Sequence, residues 1–93
     1  MKLTRTTPLE RRKENARRSA LARLDIAAMR AWLKEHAVGA FGDDRAVLIS
    51  MHETRVLDVT MPKRLRRASV LWLRREHPQS AVLLSDAARR IGV

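Results

Sequence analysis

The chain has no cysteine and no tyrosine, and only one phenylalanine and two tryptophans among its 93 residues. Without cysteine there are no disulfide staples and no thiolate metal ligands, and nothing points to an oxidising compartment. With Trp32, Trp72 and Phe41 as the whole aromatic complement, the core has to be aliphatic, built from Leu, Val, Ile, Met and Ala. Glycine and proline are equally scarce, three of each. No glycine-rich phosphate loop is present. No apolar run approaches the ~20 residues needed to span a bilayer. The basic N-terminus lacks the apolar segment of a secretory signal. The expected location is a reducing cytoplasm, with no membrane partner.

Acidic residues are the other shortage. Twenty Lys and Arg face ten Asp and Glu, a formal net charge of +10 at pH 7. The excess is concentrated in two blocks. Residues 1–24 hold eight cations against Glu10 and Glu14, a net of +6, and residues 62–77 hold six against Glu76, a net of +5. The stretch between them is mildly acidic, and residues 78–93 are close to neutral. Two basic blocks around an acidic middle describe a polyanion-binding surface. Self-repulsion makes such charge costly unless something neutralises it. Arginine outnumbers lysine sixteen to four, and its rigid fork suits phosphate and carboxylate. GC-rich codon usage produces the same bias.

Ninety-three residues make one small domain. We expect residues 8–93 to form it, with residues 1–7 as a flexible basic arm. A domain of this size buries roughly 60–65% of its unfolded surface, so its stability is marginal without a partner or a second copy of the chain. Thr7-Pro8-Leu9-Glu10 reads as a helix start, with Thr7 as cap, Pro8 at the first helical position and Glu10 closing a capping box. From Leu9 onward the apolar face changes. Leu9, Ala16, Ala20, Leu21 and Leu24 share one side; Ile26, Met29, Trp32 and Leu33 share another. This predicts two helices, about 8–23 and 26–37, with Asp25 capping the second. Gly39 and Gly42 then end the helical stretch.

The fold class expected is mainly α, a single domain of three to four helices, with one short β-hairpin around residues 46–60. Residues 46–50 are a continuous apolar run and residues 55–60 are rich in β-branched side chains. A helix from Asp44 to Thr54, capped by Asp43 or Asp44, fits the same residues, and the hairpin is the preferred reading by a small margin. Pro62 opens an amphipathic helix over 62–76 that Pro78 stops. Met61, Leu65, Ala68 and Trp72 form its apolar stripe, with Lys63, Arg66, Arg67 and Arg74 opposite and Arg64 and Arg75 flanking. Val70, Leu71 and Leu73 fall outside the stripe and would be covered by the last segment or by a second chain. Residues 80–90 suit a final helix ending at Gly92. Leu84–Val93 is similar to the first helix and turn of a helix-turn-helix, with Ala88 and Gly92 at its spacing. The recognition helix would have to follow, and a capped terminal helix is the simpler reading.

These features point to a small basic nucleic-acid-binding accessory or regulatory protein, acting on DNA or structured RNA. The expected phosphate contacts are Lys63, Arg64, Arg66, Arg67, Arg74 and Arg75, with Arg11, Arg12, Arg17 and Arg18 as a second clamp. Trp72 is expected to anchor the core rather than stack on bases. No catalytic or metal-binding residue and no cofactor is expected. His36, His52 and His77 lack ligand spacing. An alternative enzyme reading places His52, Glu53 and Arg55 on an exposed turn, as a small endoribonuclease would need them. The alternative of a different class is an inhibitor or adaptor docking on an acidic protein surface, of the kind small bacterial and phage regulators provide. An exposed patch of Val38, Val70 and Leu71 would favour it.

Overall fold

The computed structural model describes residues 8–36 and 42–92. Among these residues five α-helices follow one another: α1 (Pro8–Arg23), α2 (Ile26–Glu35), α3 (Asp44–Leu57), α4 (Lys63–Glu76) and α5 (Asp86–Ile91). A 3-10 turn, Ala81–Leu84, precedes α5. The mainly α expectation holds. The hairpin does not: residues 46–57 are helical, and no strand occurs among the described residues.

The reason is the position of α3, which lies at the centre of the domain. On one side Val47 and Met51 pack with Ala20 and Leu21 of α1, Met29 of α2, and Met61. On the other, Val56 and Ile49 pack with Val70 and Leu73 of α4 and Ala88 and Ile91 of α5. A helix buried on two sides needs more than one apolar stripe, so Ala46 to Ile49 become consecutive apolar residues. That run has the pattern of a buried strand, and periodicity alone does not separate the two.

The break between α1 and α2 falls where the change of apolar face placed it. Leu24 adopts φ 53°. The Asp25 N–H donates to the Ala20 carbonyl at 2.9 Å and the Leu24 N–H to the Leu21 carbonyl at 3.3 Å. These two bonds make a Schellman end, in which the left-handed position is usually glycine. A leucine there costs roughly 1–2 kcal/mol, offset by packing of its half-buried side chain on the first cluster. Asp25 then accepts from the Ala28 N–H at 3.0 Å and caps α2. Asp43 caps α3 through the Ala46 N–H at 2.9 Å. Ser85 caps α5, and Gly92, at φ 77°, ends it. The final helix expected over 80–90 is thus divided, because Ser80 caps the 3-10 turn and Ser85 restarts the chain as α5. The arm 1–7, with the Thr7 cap, and Gly39 lie outside the described residues, and Pro8 is the first residue of α1.

The apolar stripe of α4 differs from the one the sequence suggested. Ser69, Val70 and Leu73 are its buried residues, and Ala68 is exposed. Two neighbours pull on this helix. α3 covers Ser69, and the α5 cluster covers Val70 and Leu73, which rotates the buried arc away from Ala68.

Candidate nucleic-acid interface

α4 is fixed to the domain by its buried arc, and what it turns outward is almost entirely cationic. Lys63, Arg64, Arg67, Arg74 and Arg75 are exposed, together with Ala68 and Leu71. Lys63, Arg64 and Arg67 make no ion pair with any described residue. Arg75 is the partial exception, with its Nε 3.2 Å from Glu76, a carboxylate that also faces Arg45 at 3.8 Å. The start of α4 compounds the charge. Pro62 provides no side-chain cap, no acidic residue occupies the first turn, and cations stand where the helix dipole is already positive.

Arg66 belongs elsewhere. It is half-buried, and its Nε donates to the Met61 carbonyl at 3.0 Å, so it braces the turn into α4. The N-terminal clamp is also uneven. Arg11, Arg12 and Arg18 are exposed. Arg17 is half-buried, with its guanidinium 5.7 Å from the Trp32 ring centre and 3.4 Å from Glu14. Arg18 shares that carboxylate at 3.5 Å. Arg17 and Arg18 also act on Asp58. Burial opposes charge on this carboxyl, but hydrogen bonds from the Thr60 side chain and backbone, with the two arginines, hold it below its usual value. α1 packs chiefly on α2 and α4 chiefly on α3, with Leu65 of α4 reaching the cluster that holds Ala20 and Leu21 of α1.

One group of polar residues was not expected as a unit. Arg55, 4% exposed, donates from Nε to the Leu21 carbonyl at 2.9 Å and from a terminal nitrogen to the Ala22 carbonyl at 2.8 Å. These are carbonyls of the last turn of α1, which have no partner inside their own helix. The other terminal nitrogen reaches Ser69 Oγ at 3.4 Å. His52 Nδ1 lies 2.9 Å from the same hydroxyl, and its ring stacks on Trp72 at 4.1 Å. His52 Nε2 is buried without a partner. That favours the neutral ring with its proton on Nδ1, because a dry lone pair costs less than a dry N–H. Burial first, then the charges of Arg55 and Arg75, lower the His52 pKa to about 4. The group joins α1, α3 and α4.

This placement removes the exposed turn that the endoribonuclease alternative required. His52 and Arg55 are interior, and Glu53 accepts a hydrogen bond from the Ser80 hydroxyl. Trp72 anchors rather than presents its ring, as expected. Among the described residues no group of three or more His, Cys, Asp or Glu gathers as a metal site, and no helix is long and apolar enough to cross a membrane. The patch that would have favoured a protein-docking role is not assembled there: Val70 is 1% exposed, Leu71 is 45% exposed, and Val38 lies outside the described residues. The arrangement defines the class, a small all-α domain with one helix outwardly cationic. Comparison with protein-family models, curated proteins and solved structures finds no match.

Proposed function

We propose that this protein is a small nucleic-acid-binding accessory or regulatory protein that grips phosphate backbones through the outer face of α4. The observation that carries the reading is the exposed set Lys63, Arg64, Arg67, Arg74 and Arg75 on one arc of a helix whose opposite arc is buried. Lys63, Arg64 and Arg67, which have no ion-pair partner among the described residues, repel one another, and a polyanion removes that cost while releasing its own counterions. Arg11, Arg12 and Arg18 supply a second, weaker contact, and Arg17 and Arg66 serve the fold. On this reading the protein meets its nucleic acid in the cytoplasm and needs no cofactor.

The test is a mobility shift at two salt concentrations with the wild-type chain and with Lys63, Arg64, Arg67 and Arg75 changed together to Gln. The expected result is micromolar or tighter binding at ~150 mM salt, and a log-log salt slope shallower in the variant by about 3–4. An unaltered slope in a variant that melts like the wild type would remove α4 from the interface. Binding that vanishes at that salt would leave the protein-docking alternative, which predicts capture by an acidic protein surface instead.

A further inference from the structure

We propose that α4 engages B-form duplex DNA by lying in the major groove, with Leu71 toward the groove floor and a row of cations against each wall. The inference rests on the nucleic-acid reading above and narrows it to one form of nucleic acid and one mode of contact.

The first support is shape. At 100° per residue, Lys63, Arg67 and Arg74 share one side of the outer arc, Arg64 and Arg75 share the other, and Leu71 projects between them. The arc covers about 120° and the rows run along about 18 Å of helix axis. An α-helix with its side chains is about 10–12 Å thick, and a B-DNA major groove about 12 Å wide admits it. Ser69 and Leu73, which tie α4 to the domain, lie on the side opposite Leu71, and the buried Val70 lies about 100° from it, beside Lys63. The domain thus packs behind Leu71 and along the Lys63 side of the arc, and leaves the Leu71 face open.

The second support is what the arc does not carry. Its residues are Lys63, Arg64, Arg67, Ala68, Leu71, Arg74 and Arg75, with no aromatic ring and no neutral hydrogen-bonding side chain. Single strands are held by stacking their bases on exposed rings. Here Trp72 is stacked on His52, and Trp32 is stacked on His36 with Arg17 over it. An A-form RNA duplex offers a major groove too deep and narrow for a packed helix, and a minor groove read through its 2′-hydroxyls. The third support is Leu71 itself. An apolar side chain left 45% exposed at the apex of a cationic arc does nothing for phosphate contact. It matches the thymine C5-methyl groups that face the major groove.

The experiment is fluorescence anisotropy at ~150 mM salt with a short duplex DNA, the duplex RNA of the same sequence, and one DNA strand alone. Duplex DNA should bind about tenfold or more tighter than either alternative. Leu71→Ala should weaken duplex DNA binding about threefold with an unchanged salt slope, while Leu71→Met retains affinity. Replacing thymine by uracil in the duplex should give a similar loss that does not add to that of Leu71→Ala, and this arm needs no change to the protein. RNA duplex or single strand bound as tightly as duplex DNA would overturn the groove assignment and leave the nucleic-acid reading standing. So would displacement by a minor-groove ligand. Weak binding of all three would overturn both.

Discussion

In α1, Arg17 lies over Trp32 and beside Glu14, Arg18 shares that carboxylate, and Lys13 approaches Glu35 of α2 at 3.7 Å. In α4, Lys63, Arg64 and Arg67 meet no carboxylate among the described residues. The basic blocks that contain these helices have nearly equal net charge. What separates the helices is the fate of each cation. α1 carries its own acid at the i−3 position of Arg17 and the i−4 position of Arg18 and borrows Glu35 for Lys13, so half of its cations are paired, while Arg11, Arg12 and Arg23 are exposed with no ion pair among the described residues. α4 has one glutamate, at its far end, and keeps its charge outward. Charge counted along a chain identifies a basic segment, whereas pairing and burial decide whether that segment is available to a partner.

The contrast is sharpest at the joint between the two helices, where an arginine works entirely for the fold. Arg55→Ala removes two charge-assisted hydrogen bonds, to the Leu21 and Ala22 carbonyls, and with them the tie between α3 and the end of α1. We expect a loss of about 4 kcal/mol, measured by urea denaturation. For a domain of this size that is a large fraction of the total. A loss below about 1 kcal/mol would mean that water replaces the guanidinium and that α1 is not held by it.

His52 makes the same joint sensitive to acid. Burial holds its pKa down at about 4 in the folded chain, against 6.5 for an ordinary histidine. The unfolded state therefore binds a proton that the folded state refuses. The stability contribution is fully present above pH 6.5 and is lost as pH falls toward 4, by about 3 kcal/mol in all. Asp58 has the opposite sense of ionisation and a lower window, because its depressed carboxyl pKa stabilises above 3.8 and fails below it. His52→Phe keeps a ring against Trp72 and cannot take a proton. Denaturation of both chains from pH 7 to 4.5 should show the wild type losing ground to the variant. Parallel curves would show that the ring is solvated.

Binding should divide the two basic helices next. Changing Lys63, Arg64, Arg67 and Arg75 to Gln is expected to weaken nucleic-acid affinity on the order of 100-fold at ~150 mM salt. Changing Arg11, Arg12 and Arg18 to Gln should cost less than about tenfold in the same titration. The reverse ranking would move the principal interface to α1.

The parts of this arrangement that were legible in the sequence are those set by local chemistry. Asp25 marks the start of α2 because a short acidic side chain can reach the Ala28 N–H whatever lies around it. Pro62 and Pro78 bracket α4 for the same kind of reason. The central helix was legible only as the second reading, a helix from Asp44 capped by Asp43, behind the hairpin that was preferred. Its two buried sides erase the single stripe that identifies a helix, and its polar residues His52 and Arg55 look like surface positions until Ser69 and the end of α1 are brought to them. Arg66 was misread for a related reason. Its angular position is close to that of the buried arc, and only the turn at Met61 shows which group it bonds. Local signals place helix ends, but the partner of a long cation depends on residues distant in sequence.

The smallest effect tests the comparison one residue at a time. Arg17 and Arg67 are both arginines on basic helices, and both belong to the set expected from sequence to touch phosphate. Arg17→Leu removes a guanidinium that is partly shielded, paired with Glu14 and placed over Trp32. It should cost about 0.5–1 kcal/mol of stability and leave the salt slope of nucleic-acid binding unchanged. Arg67→Leu removes an exposed charge with no ion-pair partner among the described residues. It should leave the melting temperature within error, or raise it slightly as repulsion with Lys63 and Arg64 is relieved, and make the salt slope shallower by about 1. The two readouts must move in opposite pairs. If Arg17→Leu lowers the slope and Arg67→Leu does not, the guanidinium over Trp32 is available to phosphate after all, and the division between a structural α1 and a binding α4 fails at the residue where it is drawn most finely.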